Sequence, residues 1–502
     1  MNVRHLIVPL VLLFALRLSA EDNVYRYRLY LDGKPDSEMV ALTERAHQRR
    51  DRLSISTDEA DRNVSESYLR QLREAGLVIL TRSRWLNTAV VMLEDGSAVD
   101  EAKWTQFAFV KKVEMLSMPN QKPVDQPLLP TEEGQKTRSK ATSDDCTMPL
   151  QEVNAYESLY RAGHRGKGML IAVFDGGFSR LNECSYLMDR VDQVFDFYVP
   201  TAPNQVFVGD NHGLQCMSVM ACPESEGVCG TAQDARYCLF HTENSNFESA
   251  VEEDMWVAAA EMADSLGVDI ISSSLGYGNF DGDLLSHSLD ELAQDCVFIS
   301  KGARIASQKG MLVCCSAGNE GKRDWGMILF PSDVKEVLCV GATTIEGEAA
   351  DFTSRGFLTP YVKPDVVARG KNCYTIRPND NGFEVRDNAS GTSFSTPLIA
   401  GLCASLWGAV PDLTPEELRT VVLASASAYD NPTIEMGYGL PDFSVALQKA
   451  QQLYPSAIEQ IKIEAAASET TASARYYNMM GQPLSAPPAK GMYIDRGRVV
   501  TQ

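Results

Sequence analysis

At 502 residues the chain exceeds what one hydrophobic core ordinarily holds, so two or more folded units are expected. Its composition, 44% apolar and 23% charged, is that of a soluble globular protein. A net charge of −21 and the lack of any long basic cluster exclude nucleic acid as an expected partner.

Taken in chain order, the first residues place Arg4 before an apolar run from Leu6 to Leu16, followed by the small residues Ser19 and Ala20. That pattern predicts a secretory signal peptide over 1–20 and an exported protein. The apolar run is far shorter than the roughly 20 residues of a spanning helix, and Arg17 interrupts its end, so no transmembrane anchor is expected. Between Val24 and Ser117 the signals alternate: YRYRLYL reads as a strand, and SESYLRQLREAG as a helix ended by Gly76. Two strands then meet near Trp85 and Asn87, a helix is predicted around Asp100 to Phe109, and FVKKVEML closes the segment as a strand. A small α+β domain over 21–117 fits this order. Residues 118–145 gather Pro, Lys, Thr and Ser without periodicity, as an exposed and cleavable linker does.

From Cys146 to about residue 455 the text changes to buried strands separated by amphipathic helices, the mark of a parallel α/β sheet with helices on both faces. GMLIAVFD, GVDIISSSLG, GMLVCCSAGN and EVLCVGAT each end in Gly, Ser, Asp or Asn, and ligands bind at that edge of such sheets. The tail, 456–502, is rich in Ala, Ser and Thr and ends in short strand signals. All 12 cysteines lie between Cys146 and Cys403. The close spacing of Cys216, Cys222, Cys229 and Cys238 in an exported chain leads us to expect one or two local disulfides, with the pairing open. There is no C-x-x-C, so zinc is not expected.

The chemistry concentrates at three places. In SGTSFSTPLIAGLCASLW a small-residue turn delivers Ser393 to the start of a helix, near amides that favour developing negative charge. A hydroxyl nucleophile needs a base, and of six histidines His212, in DNHGLQCMSVMA, opens an apolar helix directly after a polar turn; His241 and His287 are the competitors. Asp175 ends the strand LIAVFD, where a carboxylate can accept the other imidazole proton. A fourth residue, Asn319 in SAGNEG, ends another strand beside Gly318, where a side-chain amide can bind an oxyanion.

These motifs, with VDIISSSLGY, KPDVVARG and GYGLPD in the same order, resemble those of the subtilases. The resemblance implies a subtilisin-like fold and a secreted serine endopeptidase in which Ser393 is the nucleophile, His212 the base, Asp175 its orienting partner and Asn319 an oxyanion donor. It also implies that Ser274, Leu275 and Gly276 pair with the substrate backbone, and that Ser316, Ala317 and Gly318 line the primary pocket. The partners implied are protein or peptide substrates and the N-terminal domain as an inhibitory propeptide, of the kind found in exported Bacteroidota proteases. No cofactor is required for catalysis; structural calcium is common in the family, although no ligand cluster stands out in the sequence. Leu214 departs from the family pattern, which has Thr after His-Gly, and 357–361 lacks its usual Gly-rich run. The alternatives are an inactive, subtilase-shaped binding module and an esterase or transacylase using the same serine.

Overall fold

The computed structural model describes residues 24–119, 143–198, 203–244, 247–455 and short stretches between 476 and 501. The expected signal segment, nearly all of the linker and much of the tail lie outside the described residues. The chain falls into two compact units, Met1–Ala446 and Leu447–Gln502.

The first unit opens with an antiparallel four-stranded sheet in the order β2-β3-β1-β4. Its strands are β1 (Arg26–Leu31), β2 (Leu77–Ser83), β3 (Thr88–Leu93) and β4 (Val110–Ser117). Period-two alternation puts Leu29 opposite Ala89 and Val113, and Tyr27 opposite Val91. These residues pack with Leu69 and Leu72 of helix α2 (Glu66–Glu74), capped by Ser65. The helix expected over 100–109 is a single turn, Glu101–Trp104, because Thr105 to Phe109 leave the helix to lead into β4.

A helix that hydrophobic periodicity does not announce, α1 (Glu44–Arg52, ERAHQRRDR), is held instead by polar burial. Arg49 and Arg50 are both almost wholly buried. Their partners lie on α5 (Val251–Leu266), whose face carries Asp254, Glu261 and Asp264. Asp264 takes Arg49 at 2.5 Å and Arg50 at 2.6 Å, and Arg84 approaches at 3.4 Å. Glu261 accepts from Ser83 Oγ at 2.6 Å and from the Arg84 and Trp85 amides at 3.0 and 2.9 Å. Asp254 receives Arg28 through Nε at 2.9 Å and Nη2 at 2.5 Å, and that guanidinium lies 3.6 Å over the Phe298 ring. The last carbonyls of α5 find donors in the same segment: Thr43 N reaches Ser265 O at 2.9 Å and Thr43 Oγ1 reaches Leu266 O at 3.0 Å. Gly267 permits this approach, since a Cβ there would come within 2.6 Å of Ala46 N and its φ is +82°.

Beyond α3 (Ser143–Glu152) the chain builds a seven-stranded, wholly parallel sheet in the order β11-β10-β9-β8-β5-β7-β6. Its strands are β5 (Leu170–Asp175), β6 (Val191–Asp196), β7 (Arg236–His241), β8 (Ile270–Ser273), β9 (Leu312–Ser316), β10 (Leu338–Thr343) and β11 (Val366–Arg369). The inner strands are continuous buried apolar runs, as a sheet covered on both faces requires. The chain moves outward from β5 to β6, returns through β7, and then crosses to β8 on the other side of β5. That reversal places a crevice at the carboxyl ends of β5 and β8. The covering helices are α4 (His212–Ala221), α5, α6 (Phe298–Gln308), α7 (Thr392–Ala409) and α8 (Pro415–Leu423). Helix α7 is buried along nearly its whole length, and its sequence is apolar all round for that reason. A hairpin of β12 (Cys373–Asn379) and β13 (Gly382–Ala389) precedes it.

The second unit contains a four-stranded antiparallel sheet of β14 (Tyr476–Asn478), β15 (Pro483–Leu484), β16 (Met492–Asp495) and β17 (Arg498–Thr501), in the order β15-β14-β16-β17.

Candidate active site

The carboxyl end of β5 carries Asp175, fully buried, and the first residue of α4 is His212. What brings them together is Gly213: a Cβ there would collide with Gly177 O at 2.7 Å and Asp175 Cβ at 2.8 Å. With hydrogen in its place, Gly213 N donates to Gly177 O at 2.9 Å and the helix start closes onto the strand end. His212 Nδ1 then lies 2.8 Å from Asp175 Oδ1, which also accepts the Gly176 amide at 2.9 Å. The carboxylate fixes the imidazole with its Nδ1 proton toward Asp175, leaving Nε2 as the basic nitrogen. Burial disfavours the charged ring, but Asp175 more than offsets it, and His212 is raised well above the usual 6.5. The competing histidines serve elsewhere: His241 meets Asp196 at 3.1 Å, and His287 meets Glu253 at 3.0 Å.

Ser393 is the second residue of α7 and only 6% exposed. Pro397, four residues on, has no N–H, so the Ser393 carbonyl loses its helical donor. Two side chains replace it: Ser274 Oγ donates at 2.9 Å and Cys216 Sγ at 3.3 Å. Cys216 sits one turn after His212, with its sulfur 3.7 and 3.9 Å from the two imidazole nitrogens. One buried thiol thus touches both the helix that carries the base and the helix that carries the nucleophile. The sequence contains a signal for this arrangement in the fixed spacing of Ser393 and Pro397. Finding Cys216 also requires knowing how α4 and α7 cross. The Ser393 hydroxyl donates to Ser274 O at 3.5 Å, a long bond that leaves it available to rotate toward His212.

Asn319 follows β9. Its Oδ1 accepts from Thr392 N at 2.9 Å and Thr392 Oγ1 at 3.2 Å, so its amide group is oriented by the turn that also sets Ser393. Both of these bonds use the amide oxygen and neither uses Nδ2. Ser274, Leu275 and Gly276 follow β8, while Ser316, Ala317 and Gly318 end and follow β9. Ser316 Oγ donates to Leu275 O at 3.4 Å, so the two segments expected to wall the primary slot adjoin at the carboxyl edge of the sheet. Leu214 is fully buried in the first turn of α4. Asp175, His212 and Cys216 form the one cluster of three His, Cys or carboxylate ligand atoms among the described residues, all within 4.8 Å of one another. Within this cluster Asp175 already holds Nδ1 of the imidazole.

The model of the subtilase family matches residues 166–440, more than half the chain. The chain belongs to the subtilase family. A second family model, the Peptidase S8 propeptide domain of Bacteroidota, matches residues 26–128 of this subtilase. Among curated relatives, the chain is 22% identical to Bacillopeptidase F of Bacillus subtilis (strain 168) over 86% of its own length and 31% of the relative's. It is 25% identical to Subtilisin-like protease PopC of Myxococcus xanthus (strain DK1622), covering 64% of this chain and 66% of that one. Serine protease AprX of Bacillus subtilis (strain 168) is 32% identical over 31% of this chain and 37% of its own. The subtilase therefore spans from about a third to two thirds of the length of these three relatives.

The expected local disulfides are not present. Cys216, Cys222, Cys229 and Cys238 are separate thiols. Their sulfurs are drawn to different neighbours: Cys216 to His212 and the Ser393 carbonyl, and Cys222 to Pro223 O at 3.6 Å. Cys238 lies in β7 within the apolar core. Burial pushes the Cys229 and Cys238 thiols up to about 12, so they behave as small apolar side chains. No helix among the described residues is long and apolar enough to cross a membrane.

Proposed function

We propose that this subtilase is the precursor of an exported serine endopeptidase that acts on protein or peptide substrates. In this reading residues 1–20 are a signal peptide, 21–117 an inhibitory propeptide, 118–145 a linker cut on activation, 146–455 the catalytic domain and 456–502 a C-terminal tail. The observation that carries it is the 2.8 Å bond from His212 Nδ1 to the buried carboxylate of Asp175, on the helix that packs against the start of α7.

Ser393 Oγ attacks the scissile carbonyl while His212 Nε2 removes its proton, and the imidazolium that forms is stabilised by Asp175. The tetrahedral oxyanion receives hydrogen bonds from Asn319 Nδ2 and the Ser393 amide. His212 returns the proton to the leaving amine, an acyl-enzyme remains on Ser393, and water releases it by the same steps in reverse order. The substrate backbone joins the segment Ser274–Gly276 as an added strand. This chemistry requires no cofactor, and calcium would serve structure only.

A fluorophosphonate probe on the processed enzyme tests the reading. Labelling at Ser393, lost in Ser393→Ala and accompanied by casein hydrolysis, supports it. Labelling with ester but no peptide hydrolysis would indicate an acyl transferase or esterase, and no labelling an inactive binding module.

A further inference from the structure

The slot between the two expected walls has an occupant from the chain itself. A Cβ built on Gly276 would come 2.8 Å from Leu329 Cβ and 3.2 Å from its Cδ1. One on Gly318 would come 2.9 Å from both Cγ and Cδ1, and one on Gly278 2.9 Å from Cδ2. A single isobutyl group therefore spans from one wall to the other. The glycines have given up their own side chains to admit it.

Leu329 is also pinned in place. Its amide donates to Ala317 O at 3.1 Å, on one wall, and the next residue, Phe330, exchanges both backbone bonds with Tyr277 at 2.8 and 3.0 Å, beside the other. Ile328 and Phe330 on either side are fully buried, whereas Leu329 remains partly exposed, as a residue facing an open slot does. Trp325 backs it, with its ring 3.5 Å from the position of a Gly278 Cβ and its indole N–H on Ile328 O at 3.1 Å. The nearest polar side-chain atom to the Gly318 wall is Ser354 Oγ, which accepts the Glu320 amide at 3.0 Å.

We propose that Leu329 closes the primary pocket, restricting cleavage to peptide bonds that follow a small uncharged residue: glycine, alanine or serine. The inference rests on the endopeptidase reading and names its substrate class. A larger side chain would have to displace Leu329, whose own amide is hydrogen-bonded to one wall and whose neighbour Phe330 is hydrogen-bonded beside the other, and overpacking of that kind is costly. The side chains that meet these glycines, Leu329, Trp325 and Ser354, carry no charge to reward a lysine, arginine or carboxylate for entering.

The test uses the processed enzyme, native and Leu329→Gly, titrated with fluorophosphonate at Ser393 to fix the active concentration. Each digests a peptide library whose cut ends are mapped by mass spectrometry, and each is assayed on tetrapeptide anilides differing only in alanine or phenylalanine before the scissile bond. The native enzyme should favour alanine by about tenfold or more in kcat/KM, and Leu329→Gly should lower that ratio by about tenfold or more. Leu329→Ala should fall between them and serves if the glycine variant does not fold. Native cutting after phenylalanine, leucine or lysine as readily as after alanine overturns the proposal. So does an unchanged ratio in a fully titratable variant. A native chain that takes up no fluorophosphonate removes the endopeptidase reading and this proposal together.

Discussion

His212 determines how the site responds to pH. Asp175 raises it well above 6.5, and only the neutral ring can accept the Ser393 proton. kcat/KM should therefore rise through an apparent pKa above 6.5 and fall away on acidification; a rate flat between about pH 4 and pH 8 contradicts the assignment. The sign for stability is opposite. A histidine whose folded value is raised contributes stability that is complete below 6.5 and is lost as the pH climbs through the raised value. Asn319→Ala, measured by steady-state kinetics on a peptide anilide, should lower kcat by about 10²–10³ with little change in KM, the cost of losing this donor in a subtilisin. A rise in KM of the same size with kcat unchanged would mean that Asn319 binds ground-state substrate instead. Asp175, His212, Ser393 and Asn319 could be singled out in the sequence because each stands in a short motif where a strand ends or a helix starts. Cys216 and Leu329 were not. Their roles come from the crossing of α4 with α7 and from the return of the chain between β9 and β10, and neither path is written in local pattern.

At the scale of elements, the seam between the N-terminal domain and α5 rests on charge. Asp264, fully buried, answers Arg49, Arg50 and Arg84. Removing one partner from such a network leaves uncompensated buried cations and costs about 3–5 kcal/mol. In the full-length Ser393→Ala chain, which holds its N-terminal domain covalently, Asp264→Ala should lower the denaturant midpoint of the first unfolding transition. An unchanged midpoint would mean that the seam contributes nothing to holding the domain. This seam also explains what the sequence hid. Helix α1 has no apolar stripe, so periodicity passes over it, and nothing in local pattern says that the acidic residues of α5 are buried. Each makes sense only beside the other. The parallel strands GMLIAVFD, GVDIISSSLG, GMLVCCSAGN and EVLCVGAT were legible because burial on both faces makes them uninterrupted apolar runs, whereas β6, with exposed Asp192 and Gln193, is an edge strand and carries little such signal.

For the whole molecule, the order of parts is the argument: an N-terminal α+β domain matching a propeptide family, a segment proposed to be cut, and a subtilase sheet whose crevice gathers Asp175, His212, Ser393 and Asn319. The disulfides expected from cysteine spacing failed at this scale, because spacing along the chain does not report where buried sulfurs point. The most direct measurement is to express residues 21–502 beside the Ser393→Ala chain, follow chain size with time, and assay both on casein. The account predicts that only the native chain sheds its N-terminal domain and then digests casein. If both chains stay at full length and inert, or both are cut alike and neither digests casein, Ser393 is not the nucleophile of a self-processing protease and the central claim is wrong.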